Sequence, residues 1–427
     1  MVGILLFAVA FALLMLGFPV AFTFAAVAVG FAVATGQVEL FAMMPERIYA
    51  LMTNVTLMSV PLFVFMGMVL QRSGLAEMLL ETVGMLFGRL RGGIAIGVVL
   101  VGAILAASTG IVGATVVSMS LIALPVMLKH GYDRRFASGI ICAAGTLGQI
   151  IPPSVVLIVL GEALQVSVGE LFRAAFLPGI ALAGVYILWT VVVGMVRPEW
   201  LPPVASVERM PWQRVVQTVV PPLLLIVLVL GSIFAGIATP TESASVGAMG
   251  SLGLAALYRR FSLRLVWEAA RETARISAMI FTILIGATAF SMTFSYSGGE
   301  AAVHDLLTAL PGGVWGMLLF AQLLIFALGF FLDFVEISYI VVPVIAPVLI
   351  RAGVDPVWLG VLIGMNLQTS FLTPPFGFSL FYLKGSAPQL QTSEIYRGVV
   401  PFIGLQLLLV LLVLLVPELF GIHRMVR

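Results

Sequence analysis

The sequence predicts an all-α polytopic membrane protein with inverted structural repeats, two re-entrant hairpins and two broken helices. Three observations predict it. Hydrophobic residues make up 61% of the 427 positions and charged residues 9%, against about a quarter charged in soluble domains. Apolar runs of the ~20 residues needed to cross ~30 Å of hydrocarbon recur from end to end. Adjacent prolines stand at matched places in the two halves, Pro152 and Pro153 in GTLGQIIPPSVV and Pro374 and Pro375 in NLQTSFLTPPFG. A proline within a helix removes a backbone donor and clashes with the carbonyl one turn earlier. Each pair therefore unwinds a stretch that is tolerated at membrane depth only inside protein or along a cavity. Internal similarity points the same way. LPVMLKHGYD (124–133) aligns with APVLIRAGVD (346–355) at an offset of 222 residues, and the register runs without a gap to both proline pairs.

In that register Pro125, Val126, Gly131 and Asp133 match Pro347, Val348, Gly353 and Asp355, and Lys129 meets Arg351. Ser73 and Gly74 match Ser297 and Gly298, and GELFR (169–173) matches SEIYR (393–397), at an offset differing by two. The repeats thus cover residues 60–180 and 284–404, with 1–59 and 181–283 as scaffold helices and 405–427 as the end of the last helix and tail.

Each element follows in order. Residues 2–34 lack a basic leader and a small-residue cleavage site, so they read as retained membrane helix, divided at Pro19. Ordinary spans are expected at 48–71, 174–196, 215–236, 244–258, 278–296 and 398–416. Residues 77–90 and 262–276 carry charges at intervals along apolar sequence, which suits helices lying on the membrane surface. The run 94–128 is long for one span and short for two, with AASTGIVGAT at its middle. A hairpin that enters and leaves on one side explains both facts. Its counterpart is 314–350, with GFFLDFVEIS at its middle. Broken helices follow at 137–160 and 357–383.

Lys and Arg are enriched in short cytoplasmic loops. Arg259, Arg260, Arg264, Arg271 and Arg275 mark the cytoplasmic side, as do Lys129, Arg134 and Arg135, and Arg72, Arg89 and Arg91. The counterpart of the segment around 73–91 is 297–313, which carries Glu300 and Asp305 and no Lys or Arg. Equivalent segments then face opposite sides, which makes the repeat inverted. An odd–even count puts the tail outside, against the sense of Arg424 and Arg427.

Several function classes are excluded. A net charge of +2 gives no reason to expect nucleic acid, and the single Cys142 supports neither a disulfide nor a thiolate metal site. His130, His304 and His423 lie apart with no HExxH pattern, and no GxxxxGK[ST] loop is present to hold ATP. No enzyme site and no organic cofactor are expected. Any transport work must draw on an ion gradient.

Two clusters carry the candidate chemistry. The first hairpin tip, Ser108, Thr109 and Gly110, faces Gly145, Thr146, Gly148 and Gln149 ahead of the first break. Hydroxyls and unwound carbonyls suit a hard cation such as sodium, although small residues also permit close helix packing. The second cluster has Gly329 and Asp333 at its tip and Asn366, Gln368, Thr369, Ser370 and Thr373 ahead of Pro374. Recurrence of one design favours paired ion sites over two coincident packing needs. Asp333 and Glu336 are intramembrane charges, each costing at least ~2.5 kcal/mol at a helix centre. They order the hairpin, hold a cation or bind substrate, or else Asp333 caps the half-helix after it. Glu242 in ATPTESAS reads as a helix-start residue.

The combination GTLGQIIPPS, HGYD, ATPTESASVGA, LGFFLD and NLQTSFLTPPFGFSLF resembles the large membrane subunit of tripartite ATP-independent periplasmic (TRAP) transporters, the DctM-like family, over essentially the whole chain. The resemblance implies an elevator-type member of the ion transporter superfamily in the bacterial inner membrane. It implies sodium-coupled symport of an organic acid, a small four-helix membrane subunit and a soluble periplasmic substrate-binding protein. Carried over, the first sodium site uses Ser108, Thr109, Gly110, Gly145 and Gln149, and the second Gly329, Ser370, Thr373 and Phe376. Substrate falls to Asp333, Glu336, Asn366 and Gln368. Ile111 and Val112 replace the tip serines of members handling dicarboxylates or sialic acid, and Gln149 replaces a proline. LDFVEIS with NLQTSFLTPPFGFSLFYLKG looks more like the branch associated with mannitol, chloroaromatic or 2-oxo monocarboxylate substrates. Rival readings are a standalone anion–cation symporter of the same architecture, a membrane-embedded enzyme acting through Asp333 and Glu336, and a purely structural subunit.

Overall fold

The structure, a computed structural model, describes residues 2–109, 112–204 and 211–423, without the side chains of 106–109, and its regular elements are all helical. Among the described residues, six helices are long and apolar enough to cross a membrane: Val112–Lys129, Val168–Val196, Trp212–Phe234, Leu263–Tyr296, Phe334–Arg351 and Thr392–Leu415. The chain is a multi-pass membrane protein.

Two helices form its centre. In Arg134–Thr146 every residue from Phe136 onward is buried, and in Pro356–Leu372 every residue from Trp358 onward. A helix buried all round has no solvent or lipid face and must sit inside the bundle. Asp133 starts the first, its Oδ1 accepting from Arg135 N at 2.9 Å and Phe136 N at 3.1 Å. Asp355 starts the second, with Oδ1 accepting from Val357 N at 2.8 Å and Trp358 N at 2.9 Å. These carboxylates satisfy amides that the first helical turn leaves free. Thr392–Leu415 packs along Arg134–Thr146, so closely that a Cβ on Gly139 would meet the backbone of Gly398.

Each central helix breaks where the proline pair was read. Arg134–Thr146 runs through the tight turn Leu147–Gln149 and resumes as Val155–Ala163, while Pro356–Leu372 resumes as Phe378–Ser386. The Pro152–Pro153 and Pro374–Pro375 bonds are both cis. Ahead of each broken helix lie two arms in contact, Gly93–Thr109 with Val112–Lys129 and Gly313–Leu328 with Phe334–Arg351. The last arm contains a π-helical turn at Ile337–Val341. Pro343 has no N–H to offer the carbonyl of Tyr339, so the ladder widens there.

Two expected elements differ from those observed. The span read at 48–71 is interrupted: Met44–Met52 stops at Thr53 and helix resumes at Ser59–Arg72. Asn54 holds the interruption open, its Oδ1 accepting from Leu57 N at 3.0 Å and its Nδ2 donating to Glu162 Oε1 at 2.7 Å. The surface helix read at 262–276 and the span at 278–296 form one helix of 34 residues, Leu263–Tyr296. No glycine or proline interrupts that stretch before Gly286. At 1.5 Å per residue it is ~51 Å long, so its charged first turns extend past ~30 Å of hydrocarbon.

Glycine permits two turns between helices. Ser59–Arg72 turns by 62° into Leu75–Phe87, with Gly74 between them at φ +73°. Gly298 adopts the same φ of +73° ahead of Gly299–Thr308. Side chains with a Cβ rarely take this left-handed conformation.

Candidate functional site

The breaks expose backbone carbonyls, and hydroxyls close over them. Ser154, at the start of Val155–Ala163, donates through Oγ to Gln149 O at 2.8 Å and accepts from Leu157 N at 3.4 Å, so one hydroxyl bridges the first break. In the second half Ser379 Oγ donates to Phe371 O at 2.8 Å. Thr373 closes Pro356–Leu372 from the other direction, with its Oγ1 donating to Thr369 O at 2.7 Å and its carbonyl accepting from Gly377 N at 3.0 Å. Neither serine was singled out from sequence. Their signal was position: each lies within four residues of a proline pair.

The hydroxyls along the approach to each break share one orientation. Thr146 donates to Ala143 O at 2.9 Å, Thr369 to Met365 O at 2.8 Å and Ser370 to Leu367 O at 2.8 Å. A hydroxyl has one proton and two lone pairs, so with the proton turned back to a carbonyl its remaining capacity is as an acceptor. Rows of outward lone pairs are what a hard cation replaces its hydration with.

In the second half the structure brings the candidate ligands together. Gly329 ends Gly313–Leu328 against Ser370, and a Cβ added there would come within 2.8 Å of the Ser370 Cβ. Thr373 N donates to Ser370 O at 3.1 Å, and the Phe376 ring lies 5.1 Å from Phe331 beside the tip. In the first half Gly145 abuts Val116 on the hairpin's second arm, where a Cβ would lie 3.2 Å from the Val116 Cα. Ser108 and Thr109 end Gly93–Thr109. Their side chains and Gly110 lie outside the described residues.

The residues assigned to substrate are held as follows. Asp333 Oδ1 accepts from Phe334 N at 2.8 Å and Glu336 Oε2 accepts from Asp333 N at 2.8 Å. This is a capping box, in which two free amides are satisfied reciprocally. Asn366 Nδ2 donates to Gln322 at O, 2.6 Å, and at Oε1, 2.8 Å, tying the second broken helix to the hairpin's first arm. Glu242 makes a second capping box with Thr239.

Gln368 Nε2 donates to Thr146 Oγ1 at 3.4 Å across a separation of 222 residues, the offset of the internal sequence register. This contact joins the two broken helices, Arg134–Thr146 and Pro356–Leu372. Around it is buried polarity without partners. Among the described residues, Gln368 Oε1 and the side-chain O and N of Gln149 have no hydrogen-bond partner, and both residues are fully buried. Buried amides are nearly always paired in native proteins, so this locus has room in its hydrogen bonding for a guest.

The sequence matches a known family. The sequence profile of the tripartite ATP-independent periplasmic transporter, DctM component, matches residues 7–419. The chain belongs to this DctM family. The DctM chain is 30% identical over 372 residues to the C4-dicarboxylate TRAP transporter large permease protein DctM of Pseudomonas aeruginosa, covering 87% of this chain and 86% of the relative. It is 30% identical over 400 residues to the ectoine/5-hydroxyectoine TRAP transporter large permease protein UehC of Ruegeria pomeroyi, covering 92% and 91%. The Isethionate TRAP transporter permease protein DctMQ of Oleidesulfovibrio alaskensis is 28% identical, and the match covers 95% of this chain and 63% of that longer protein. Among solved structures the DctM chain shares its fold with the Alcanivorax borkumensis YdaH transporter, at TM-score 0.65 and 16% identity over 91% of this chain and 90% of that one.

Proposed function

We propose that this chain is the membrane permease of a sodium-driven secondary transporter in the bacterial inner membrane, importing an organic acid by an elevator movement. A small four-helix membrane subunit steadies it and a periplasmic binding protein delivers the substrate. Membership of the DctM family supports the transporter class. The observation that carries the ion coupling is the pair of proline-broken, deeply buried helices whose hydroxyls near the breaks give their protons to backbone carbonyls and keep lone pairs to accept with. On this reading the two halves are inverted repeats, the hairpins re-enter from opposite sides, and the basic loops are cytoplasmic.

In this mechanism the second sodium site is formed by Gly329, Ser370, Thr373 and Phe376, partly through backbone carbonyls. The first is formed by Ser108, Thr109, Gly110, Gly145 and Gln149. Sodium at both draws each hairpin tip onto its break. Order at the tips biases the central helices toward a closed, movable state, to the extent of the ion's differential affinity for the two states. The carboxylate of the substrate lies at the N-terminal ends of the second half-helices, where free amides and the helix dipole favour an anion.

Reconstitution tests the reading. Uptake of a labelled organic acid into proteoliposomes is measured with an imposed sodium gradient, for the chain alone and for the chain with its small subunit and binding protein. Uptake needing sodium and both partners is the expected result. Uptake by the chain alone identifies a standalone symporter, and uptake indifferent to sodium removes the ion sites.

A further inference from the structure

We propose that the polar cavity between the N-terminal ends of Leu75–Phe87 and Leu263–Tyr296 binds the phosphate of an anionic phospholipid. This cavity of about 480 Å³ stands apart from the broken helices and contains three guanidinium groups, Arg72, Arg260 and Arg264, against two carboxylates, Glu77 and Glu268. Glu268 is shared: Oε1 pairs with Arg264 at 2.8 Å and Oε2 with Arg72 at 3.0 Å. One carboxylate cannot fill the ten N–H donors of two guanidinium groups. Arg260 has no side-chain hydrogen bond or ion pair among the described residues. Three cations thus converge with donors to spare.

Backbone geometry adds to the field. Gly74 and Ser262 immediately precede the two helices, and both line the cavity. Helix starts present free amides and a positive dipole end to an anion. Here two starts and three guanidinium groups act on one space. Glu77, in the first turn of Leu75–Phe87, is the group an anion must avoid.

The surroundings decide between a lipid and a free anion. Leu263 and Trp267, one turn apart on the helix, are 81% and 69% exposed, and Phe261 beside Arg260 is 48% exposed. This apolar stripe runs next to the stripe of Arg264 and Glu268. Tryptophan and arginine together at a helix start are an interfacial pattern, with the ring among headgroups and the cations on phosphate. Acyl chains would lie along the stripe while the phosphate enters the cavity.

The test uses the full-length chain purified in neutral detergent and a fluorescent phosphatidylglycerol as probe, with phosphatidylcholine and inorganic phosphate as separate arms. Saturable binding of phosphatidylglycerol, weakened about ten-fold by Arg260→Ala and by Arg264→Ala and strengthened by Glu77→Gln, is expected. Phosphatidylcholine should bind at least ten-fold more weakly, and millimolar phosphate should leave the lipid bound. Phosphate displacing the lipid at equal affinity would make this a soluble-anion site. Equal binding of both lipids, or unchanged binding by both arginine variants with the native elution profile, would overturn the proposal. Charge reversal at the distant, exposed Arg397 is the control for general surface charge and should change nothing.

Discussion

The amide of Gln368 donates to the hydroxyl of Thr146 at 3.4 Å, joining two residues 222 positions apart on the two broken helices. The two ends of this bond are unequal. Thr146 also donates to Ala143 O at 2.9 Å, whereas Gln368 Oε1 has no partner among the described residues. Removing the threonine hydroxyl therefore leaves a whole buried amide unpaired, at about 1–3 kcal/mol, while removing the amide costs the ~1 kcal/mol of one net hydrogen bond or less. Thr146→Val should lower the midpoint of thermal unfolding in detergent more than Gln368→Met does. Equal shifts would mean the amide finds another partner.

The second break gives the sharper ion prediction. Thr373→Ala and Ser370→Ala each remove an oxygen whose proton is already turned inward. Each should raise the sodium concentration for half-maximal uptake about ten-fold, equivalent to ~1.4 kcal/mol, with little change in folding. Ser108→Ala should act in the same direction. Sodium titration of uptake in proteoliposomes measures all three, and unchanged values in all of them would remove the assignment.

Close approach at the second hairpin tip is also testable. A methyl group on Gly329 would meet the Ser370 side chain, so Gly329→Ala should push the tip off the break and abolish most uptake. Adding Ser370→Gly makes room for the methyl. The double variant should then regain folding stability, read by thermal unfolding, while remaining impaired in sodium dependence because the hydroxyl is gone.

Asn54 and Glu162 lie 108 residues apart and hydrogen-bond at 2.7 Å, linking the interrupted helix to the end of Val155–Ala163. Thr241 holds the same loop from the other side by donating to Val55 O at 2.6 Å. On the elevator reading this joins a fixed loop to a moving helix. Hydrogen bonds to charged groups contribute ~1.5–3 kcal/mol. Asn54→Ala and Glu162→Ala should therefore change the maximal uptake rate by similar factors and be non-additive in combination. Additive effects would show that the two side chains act separately.

The parts legible in the sequence were those with local causes. Proline pairs named both breaks because loss of an N–H is a property of the residue itself, whereas Asp133 and Asp355 were read only as matching positions of the internal register and the structure adds their role as helix caps. Run length is also a local quantity, and the apolar runs 94–128 and 314–350 begin and end within one residue of the outer ends of Gly93–Thr109 and Val112–Lys129 and of Gly313–Leu328 and Phe334–Arg351. The roles of Asn54, Glu162 and Gln322 were not legible, because their partners lie far along the chain and no periodicity carries that information. A signal did exist. Gln322 is the one uncharged polar residue in Gly313–Leu328, and Glu162 the one charge in Val155–Ala163, and polar groups in such surroundings usually have a designated partner. The interruption at Thr53 was missed for a related reason: Asn54 fits either a helix turn or a cap until Glu162 engages it.

The second arm of the first hairpin touches the far half of the chain: Ser120 and Ser386 share a hydrogen bond of 2.7 Å, and Gly113 lies under the ring of Tyr382. Val155–Ala163 likewise packs on the π-helical turn of the second hairpin. The halves are interlocked like clasped hands, so neither can complete its own binding surfaces in isolation. A gene cut between residues 204 and 211 should yield two inert fragments that regain transport only when synthesised together.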